Sequence, residues 1–209
     1  MGLRPFPHRA GAGAEDNVQA PDVTATLARD TRRVHIGRLV ACAGCRNPVL
    51  LAKMASTVHV ASHRRLYIGL SAGWYEQEWR PYGYGCIELR ERMARFREVV
   101  EIIHRMSTRR RRRSVGATTN IEEAINQPKC ARGRHPPLWL GGGERVALKL
   151  VAERGDACNI NGDLRTLRRK LKVLRRHCDV IAATAQRSSS RSLLGCTCST
   201  TTAALRSKM

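Results

Sequence analysis

Pro136-Pro-Leu-Trp-Leu-Gly-Gly-Gly-Glu144 holds a strand, its exit turn and the start of a helix in one short stretch. Pro137 to Leu140 reads as a strand, Gly141 to Gly143 close it, and a helix runs from Glu144 to about Arg154. Downstream the unit repeats. Asp156-Ala-Cys-Asn-Ile-Asn161 is strand-like, Gly162 supplies the turn, and Asp163 can cap a helix whose Leu164, Leu167, Leu171, Leu174 and Cys178 recur at steps of three and four.

Upstream the same unit occurs twice. Val34 to Val40 is short and rich in β-branched residues, and Pro48 to Ser56 suits a helix opened by proline in its first turn. Arg65 to Ser71 is again strand-like and ends in Ala72-Gly73. A long amphipathic helix follows, with Leu89, Met93, Phe96, Val100 and Ile103 as its apolar stripe. Asn120 to Asn126 reads as a short additional helix. The order is βαβαβαβα, which predicts parallel strands joined by right-handed crossovers, in a doubly wound sheet or a (β/α)8 barrel. Both architectures bind ligands where strands end and helices begin. Ala72-Gly73, Gly141 to Gly143 and Asn161-Gly162 all fall on that edge. Glycine admits an anion close to the backbone, and the helix start behind it offers unpaired N–H groups, so three such loops on one edge point to an anionic cofactor. Each loop read alone is also an ordinary tight turn. Gly-Gly-Gly-Glu is not a dinucleotide fingerprint, and nothing matches a P-loop.

Composition bounds the alternatives. The 209 residues carry a formal charge of +21, which first suggests nucleic acid, yet aromatic content is only 4%, leaving few rings to stack on bases. Five of the surplus charges sit in the run Arg109 to Arg113, and the rest are spread over helices that also carry glutamates. The run could hold phosphates electrostatically, but no base-reading motif accompanies it. Lys53 and Glu101 interrupt the longest apolar runs, so no segment approaches the roughly 18 apolar residues of a membrane span. The N-terminus lacks the apolar core of a secretory signal. A cytoplasmic protein with no membrane partner is expected, its eight cysteines reduced. Cys42-Ala-Gly-Cys45 and Cys196-Thr-Cys198 do not match the paired knuckles of a zinc ribbon, and no metal site is assigned. Among the histidines, His35 is a candidate for burial in a strand, while His59, His63, His104 and His177 default to surface or helix-end positions.

Four blocks carry a family resemblance: Arg46 to Ala55 (RNPVLLAKMA), Arg65 to Glu76 (RLYIGLSAGWYE), Pro136 to Glu144 (PPLWLGGGE) and Ala157 to Asp163 (ACNINGD). In order and wording they resemble the luciferase-like monooxygenase superfamily, most closely its branch of deazaflavin-dependent oxidoreductases. The resemblance covers residues 34–179. It implies an α/β fold, a partial (β/α)8 TIM barrel with strands like the third to sixth of the family barrel. It implies coenzyme F-420 (a deazaflavin) or FMN at the C-terminal face. By position, Ala72, Gly73 and Trp74 match the loop after the fourth barrel strand, Gly141, Gly142 and Gly143 the phosphate-side loop after the fifth, and Asn161, Gly162 and Asp163 the loop after the sixth. The implied chemistry is hydride transfer or monooxygenation of a small organic substrate.

The departures set further expectations. Segment 1–33 is divergent where the family supplies its first strands, the loop 107–119 is Arg-rich, and 180–209 is a Ser/Thr-rich tail expected to be disordered. No position matches the polar residues that the first two strands place near the reactive ring, so no catalytic residue is assigned. Arg/Ser-rich text flanking family-like text is also what a displaced reading frame would produce. The expectation is a truncated or degraded member whose activity is open; a nucleic-acid-associated protein and a non-functional fragment are the alternatives. An open four-stranded sheet leaves two unpaired edges, and homo-oligomerisation is one way to cover them.

Overall fold

The computed structural model describes residues 20–74, 83–84, 88–108, 114–115, 120–121, 124–128, 135–143 and 145–187. In chain order the elements are α1 (Ala20–Asp30), β1 (Ile36–Gly37), β2 (Ala41–Cys42), a 3-10 turn (Ala43–Cys45), α2 (Pro48–Ala61), β3 (Leu66–Ser71), α3 (Leu89–Thr108), β4 (Ser114–Val115), β5 (Asn120–Ile121), β6 (Leu138–Gly141), α4 (Val146–Arg154), β7 (Ala157–Asn159) and α5 (Leu164–Arg187). The main sheet runs β1-β3-β6-β7, with β2 also on β3, and every pair in it is parallel. This is the α/β alternation that the sequence predicts. β4 and β5 form a separate antiparallel pair.

Register assigns the two faces. Ile68 lies opposite Leu138, Leu70 opposite Leu140, and Leu140 opposite Cys158; these side chains are buried in the core beneath the helices. Alternation sends Gly37, Tyr67, Gly69, Ser71, Trp139, Gly141 and Asn159 to the other face. There the rings of Tyr67 and Trp139 stack, centroids 4.4 Å apart. Phe96, Val100 and Ile103 of α3 are fully buried, as their spacing predicts. Leu89 and Leu164, the first residues of α3 and α5, are instead 60% and 72% exposed, so each apolar stripe begins a turn or so later than its periodicity suggests.

Other departures have local causes. The single strand expected from Val34 to Val40 is two short ones, because Gly37 pairs with Tyr67 and Ala41 with Leu70, giving the edge strand one residue more than β3 between the two pairings. That is a β-bulge. Helix α1 lies in the segment read from sequence as divergent. Its buried positions, Pro21, Thr24 and Ala28, are helically spaced but small, so hydrophobicity does not reveal them. Arg65 secures its C-terminus: the buried guanidinium donates to Ala28 O (2.8 Å), Thr31 O (2.6 Å), Thr31 Oγ1 (2.9 Å) and Val34 O (2.8 Å). No helix spans Asn120 to Asn126. Asn120–Ile121 is strand β5, and buried Asn126 donates from Nδ2 to Ser56 Oγ (2.7 Å) and Met106 O (3.2 Å), just before Gln127, whose backbone Pro128 biases away from helix. α5 continues to Arg187, into the segment expected to be a disordered tail. His35 is exposed and outside β1, against the expectation of burial, whereas His59 sits in the last turn of α2, at a helix end as expected, but is buried there.

Candidate functional site

The C-terminal ends of the parallel strands define one row: Cys42 opposite Ser71, Ser71 opposite Gly141, Gly141 opposite Asn159. With neighbouring strands about 4.8 Å apart, it spans roughly 14 Å. Ala72 and Gly73 continue directly from this row. Gly73 has φ +79°, and a Cβ there would lie 2.6 Å from Cys42 Sγ, so the loop closes over the Cys42 side chain only because residue 73 has none. Arg92 of α3 holds the loop from behind, its Nη1 donating to Gly73 O at 3.1 Å. Trp74, which follows Gly73, is 76% exposed.

The second loop has the more specific geometry. Gly142 has φ +151°, and a Cβ would meet Ala147 Cβ at 2.7 Å, which brings the loop backbone against the first turn of α4. A Cβ on Gly143 would meet nothing within 4 Å. The cap residue Arg145 makes no side-chain hydrogen bond to the helix start. The Arg145 side chain therefore leaves the first N–H groups of α4 without a bond from the cap residue. Asn47 Oδ1 caps α2, accepting from Val49 N (2.9 Å) and Leu50 N (3.1 Å), and Asp163 Oδ1 caps α5, accepting from Thr166 N (2.8 Å). Bonds from the Thr166 hydroxyl and amide hold the exposed Asp163 carboxyl below its ordinary range, so that helix start already carries a negative charge.

The sequence-predicted residues are thus brought to one edge with unequal roles. Gly141, Gly142 and Gly143 lead into the start of α4, and Ala72 and Gly73 pack beside Cys42. Asn161 and Gly162 form an exposed turn whose Asn161 O accepts from Lys170 Nζ (2.9 Å). Ser71, Asn159, Val40 and the Tyr67–Trp139 stack were not singled out from sequence, although strict two-residue alternation from Tyr67 would have placed Ser71 on its face. Val40, carried over the sheet by the bulge, approaches Gly69 and Gly141: its Cγ1 lies 3.2 Å from a Cβ built on Gly69, and its Cγ2 2.9 Å from one on Gly141. It forms an apolar floor beneath the row. Asp163, the carboxylate of the β7–α5 turn, is held below its ordinary range and engaged as a cap, so it stays ionised near neutral pH. The Arg109 to Arg113 run lies outside the described residues. No described helix is long and apolar enough to cross a membrane.

The family model described as luciferase-like monooxygenase matches residues 8–207. Among curated proteins, the chain is 23% identical over 154 residues to the FMNH(2)-dependent dimethylsulfone monooxygenase of Pseudomonas putida, covering 74% of this chain and 42% of that protein. It is 28% identical over 132 residues to the F420-dependent glucose-6-phosphate dehydrogenase of Amycolatopsis mediterranei, covering 62% and 39%. The chain therefore spans less than half the length of these relatives. Among solved structures, monooxygenase RslO1 from Streptomyces bottropensis superposes with a TM-score of 0.70 at 19% identity, over 78% of this chain and 50% of that one.

Proposed function

This chain belongs to the luciferase-like monooxygenase family, and on that premise we propose that the C-terminal edge of its sheet seats FMN or coenzyme F-420 for oxidoreductase chemistry on a small organic substrate in the cytoplasm. The observation that carries the reading is the start of α4. Of the helix starts behind the row whose cap residues are described, those of α2 and α5 are capped by side chains, while at that of α4 the cap residue Arg145 makes no such bond. It follows three glycines, with space in front of Gly143. A phosphate there would accept from backbone N–H groups and meet the positive end of the helix dipole. Arg145 adds a positive charge beside it.

The residues fit such a group. Gly141 to Gly143 and the first turn of α4 would hold its phosphate end, with Ser71 and Asn159 as polar neighbours and Val40 as an apolar floor. When bound, the cofactor supplies hydride transfer or oxygen reduction; the chain's task is to orient it and keep water away. No catalytic acid or base is assigned. The described sheet supplies half the strands of a closed barrel. On this reading the chain by itself binds cofactor weakly and turns substrate over slowly, and a second copy paired along the outer edges of β1 and β7 would complete the enclosure.

Titration of the full chain with FMN and with riboflavin, followed by flavin fluorescence, tests the phosphate grip. FMN should bind about tenfold or more tightly than riboflavin, and Gly143→Glu, which places a carboxylate in open space, should erase that preference while leaving the melting transition unchanged. Equal affinity for the two flavins, or no binding of either FMN or coenzyme F-420 at high micromolar concentration, would overturn the proposal.

A further inference from the structure

On the helix-covered side of the sheet, away from the cofactor edge, a cleft of about 220 Å³ opens between α1, α2 and β3. We propose that it is a second binding site, for a small aliphatic carboxylate anchored by Arg38.

The walls are mainly apolar: Ala25 from α1, Met54 and Val58 from α2, and Ile68 from β3. Arg38 faces this cleft by alternation, since Ile36 is buried beneath the helices and Gly37 lies on the other face. The extra residue between the Gly37–Tyr67 and Ala41–Leu70 pairings carries the Arg38 carbonyl over Gly69, and the side chain lines the cleft. No described carboxylate forms an ion pair with Arg38. Burial, together with the nearby charge of Arg46, lowers its pKa to about 10, the sign of a cation held without an opposite charge. A guanidinium so placed gains most from an oxyanion that accepts two parallel bonds.

The other two charges at the cleft define what fits. Lys53 is exposed and its Nζ donates to Gln127 O, so it does not compete for the ligand. Asp22, exposed at the rim, disfavours a second negative charge and so favours a monoanion over a phosphate dianion. The volume equals about seven waters, which suits a carboxylate with a tail of about five or six carbons. Hexanoate has that form.

Isothermal titration calorimetry of the full chain at neutral pH, with sodium hexanoate, 1-hexanol and hexylamine as probes, separates charge recognition from simple apolar filling. Hexanoate should bind about tenfold more tightly than hexanol, and hexylamine least. Arg38→Met should bring hexanoate down to the hexanol level, and Arg38→Lys should keep part of the preference. Met54→Trp, which fills the cleft, should abolish both. FMN should not compete with hexanoate, because the two sites lie on different sides of the sheet. Hexanol binding as tightly as hexanoate to the wild-type chain would overturn the assignment, as would hexanoate binding that survives in Met54→Trp or a carboxylate preference that persists in Arg38→Met. Should Arg38→Met lose hexanol as well, the ranking of the three probes on the wild-type chain decides the matter alone.

Discussion

Replacing Gly69 by alanine sets two physical effects against each other, and only the three-dimensional structure gives the sign. In a strand, Gly→Ala narrows the unfolded ensemble and should stabilise by about 0.4–1 kcal/mol where the native backbone accepts it. A Cβ on Gly69, however, would stand 1.6 Å from the Arg38 carbonyl oxygen and 2.8 Å from its carbonyl carbon. These are backbone atoms of the bulge, so no rotamer change relieves the contact. The bulge must lift from β3, which strains the Ile36–Leu66 and Ala41–Leu70 pairings on either side and draws Val40 off Gly141. Overpacking of this kind costs about 1–3 kcal/mol, and contact with rigid backbone belongs at the upper end. Subtracting the entropic gain leaves about 2 kcal/mol of destabilisation. With a urea dependence of about 2 kcal/mol per molar, the unfolding midpoint should fall by ~1 M. Gly143→Ala is the control, since its Cβ meets nothing within 4 Å; its midpoint should stay within about 0.3 M of wild type. A Gly69→Ala chain as stable as wild type, or more so, would refute the placement of the bulge across the sheet.

Arg65→Met keeps the aliphatic stem but strips hydrogen bonds from Ala28 O, Thr31 O and Val34 O, which should cost about 2–4 kcal/mol and release α1 before the sheet. Hydrogen exchange checks this: amides of residues 24–30 should lose protection first, and unchanged protection there would refute the clamp. Burial chiefly lowers the pKa values of His59 and His104 below the ordinary 6.5, with His135 contributing a like charge to each. The unfolded chain then binds protons that the folded chain resists, so stability should be full above pH 6.5 and decline as pH falls through that value. His59→Gln combined with His104→Gln should flatten the slope of urea midpoint against pH; an unaltered slope would assign it elsewhere. Although burial alone would raise it, the Glu101 carboxyl is held below its ordinary 4.5 by hydrogen bonds from Arg154 and Arg105. Its contribution persists above pH 4.5 and is lost as pH falls below. Because all three side chains are part-exposed, Glu101→Gln should cost only about 1 kcal/mol at neutral pH, measured by the same urea unfolding.

The parts of the fold legible in the sequence are those where one physical signal dominates. Leu138-Trp139-Leu140 before three glycines is a buried strand with its exit turn, and Phe96, Val100 and Ile103 keep helical spacing. The luciferase-like family was likewise readable in four short blocks, because strand ends and helix starts at the site are constrained together. What was not legible depends on tertiary partners. α1 is held by small residues and by the side chain of Arg65, far along the chain, so its own hydrophobicity says little. Asn120 to Asn126 has helical composition, yet Asn126 is committed to Ser56 and Met106. Asn161 stands out in sequence as part of a loop, whereas only register with β6 puts Asn159 beside Gly141.

The Arg38–Val40 bulge joins these observations. A closed (β/α)8 barrel fills its interior with layers of side chains drawn from alternate strands around the ring. Here the corresponding face carries glycine at positions 37, 69 and 141, and the space is taken by the Tyr67 ring, the Arg38 carbonyl and the Val40 side chain. One segment of the edge strand thus supplies inner packing that, in a closed ring, strands across the barrel would share. The same segment has two outlets. Val40 is the floor under the Gly141 row, and Arg38 is the charged wall of the cleft between α1 and α2. Lifting the bulge should disturb both at once. Gly69→Ala is therefore expected to weaken FMN and hexanoate binding together, whereas Gly143→Glu should affect FMN alone and Arg38→Met hexanoate alone. Titrating both ligands against all three variants distinguishes a shared mechanical element from two unrelated sites: loss of one ligand but not the other in Gly69→Ala would show that the bulge does not couple them.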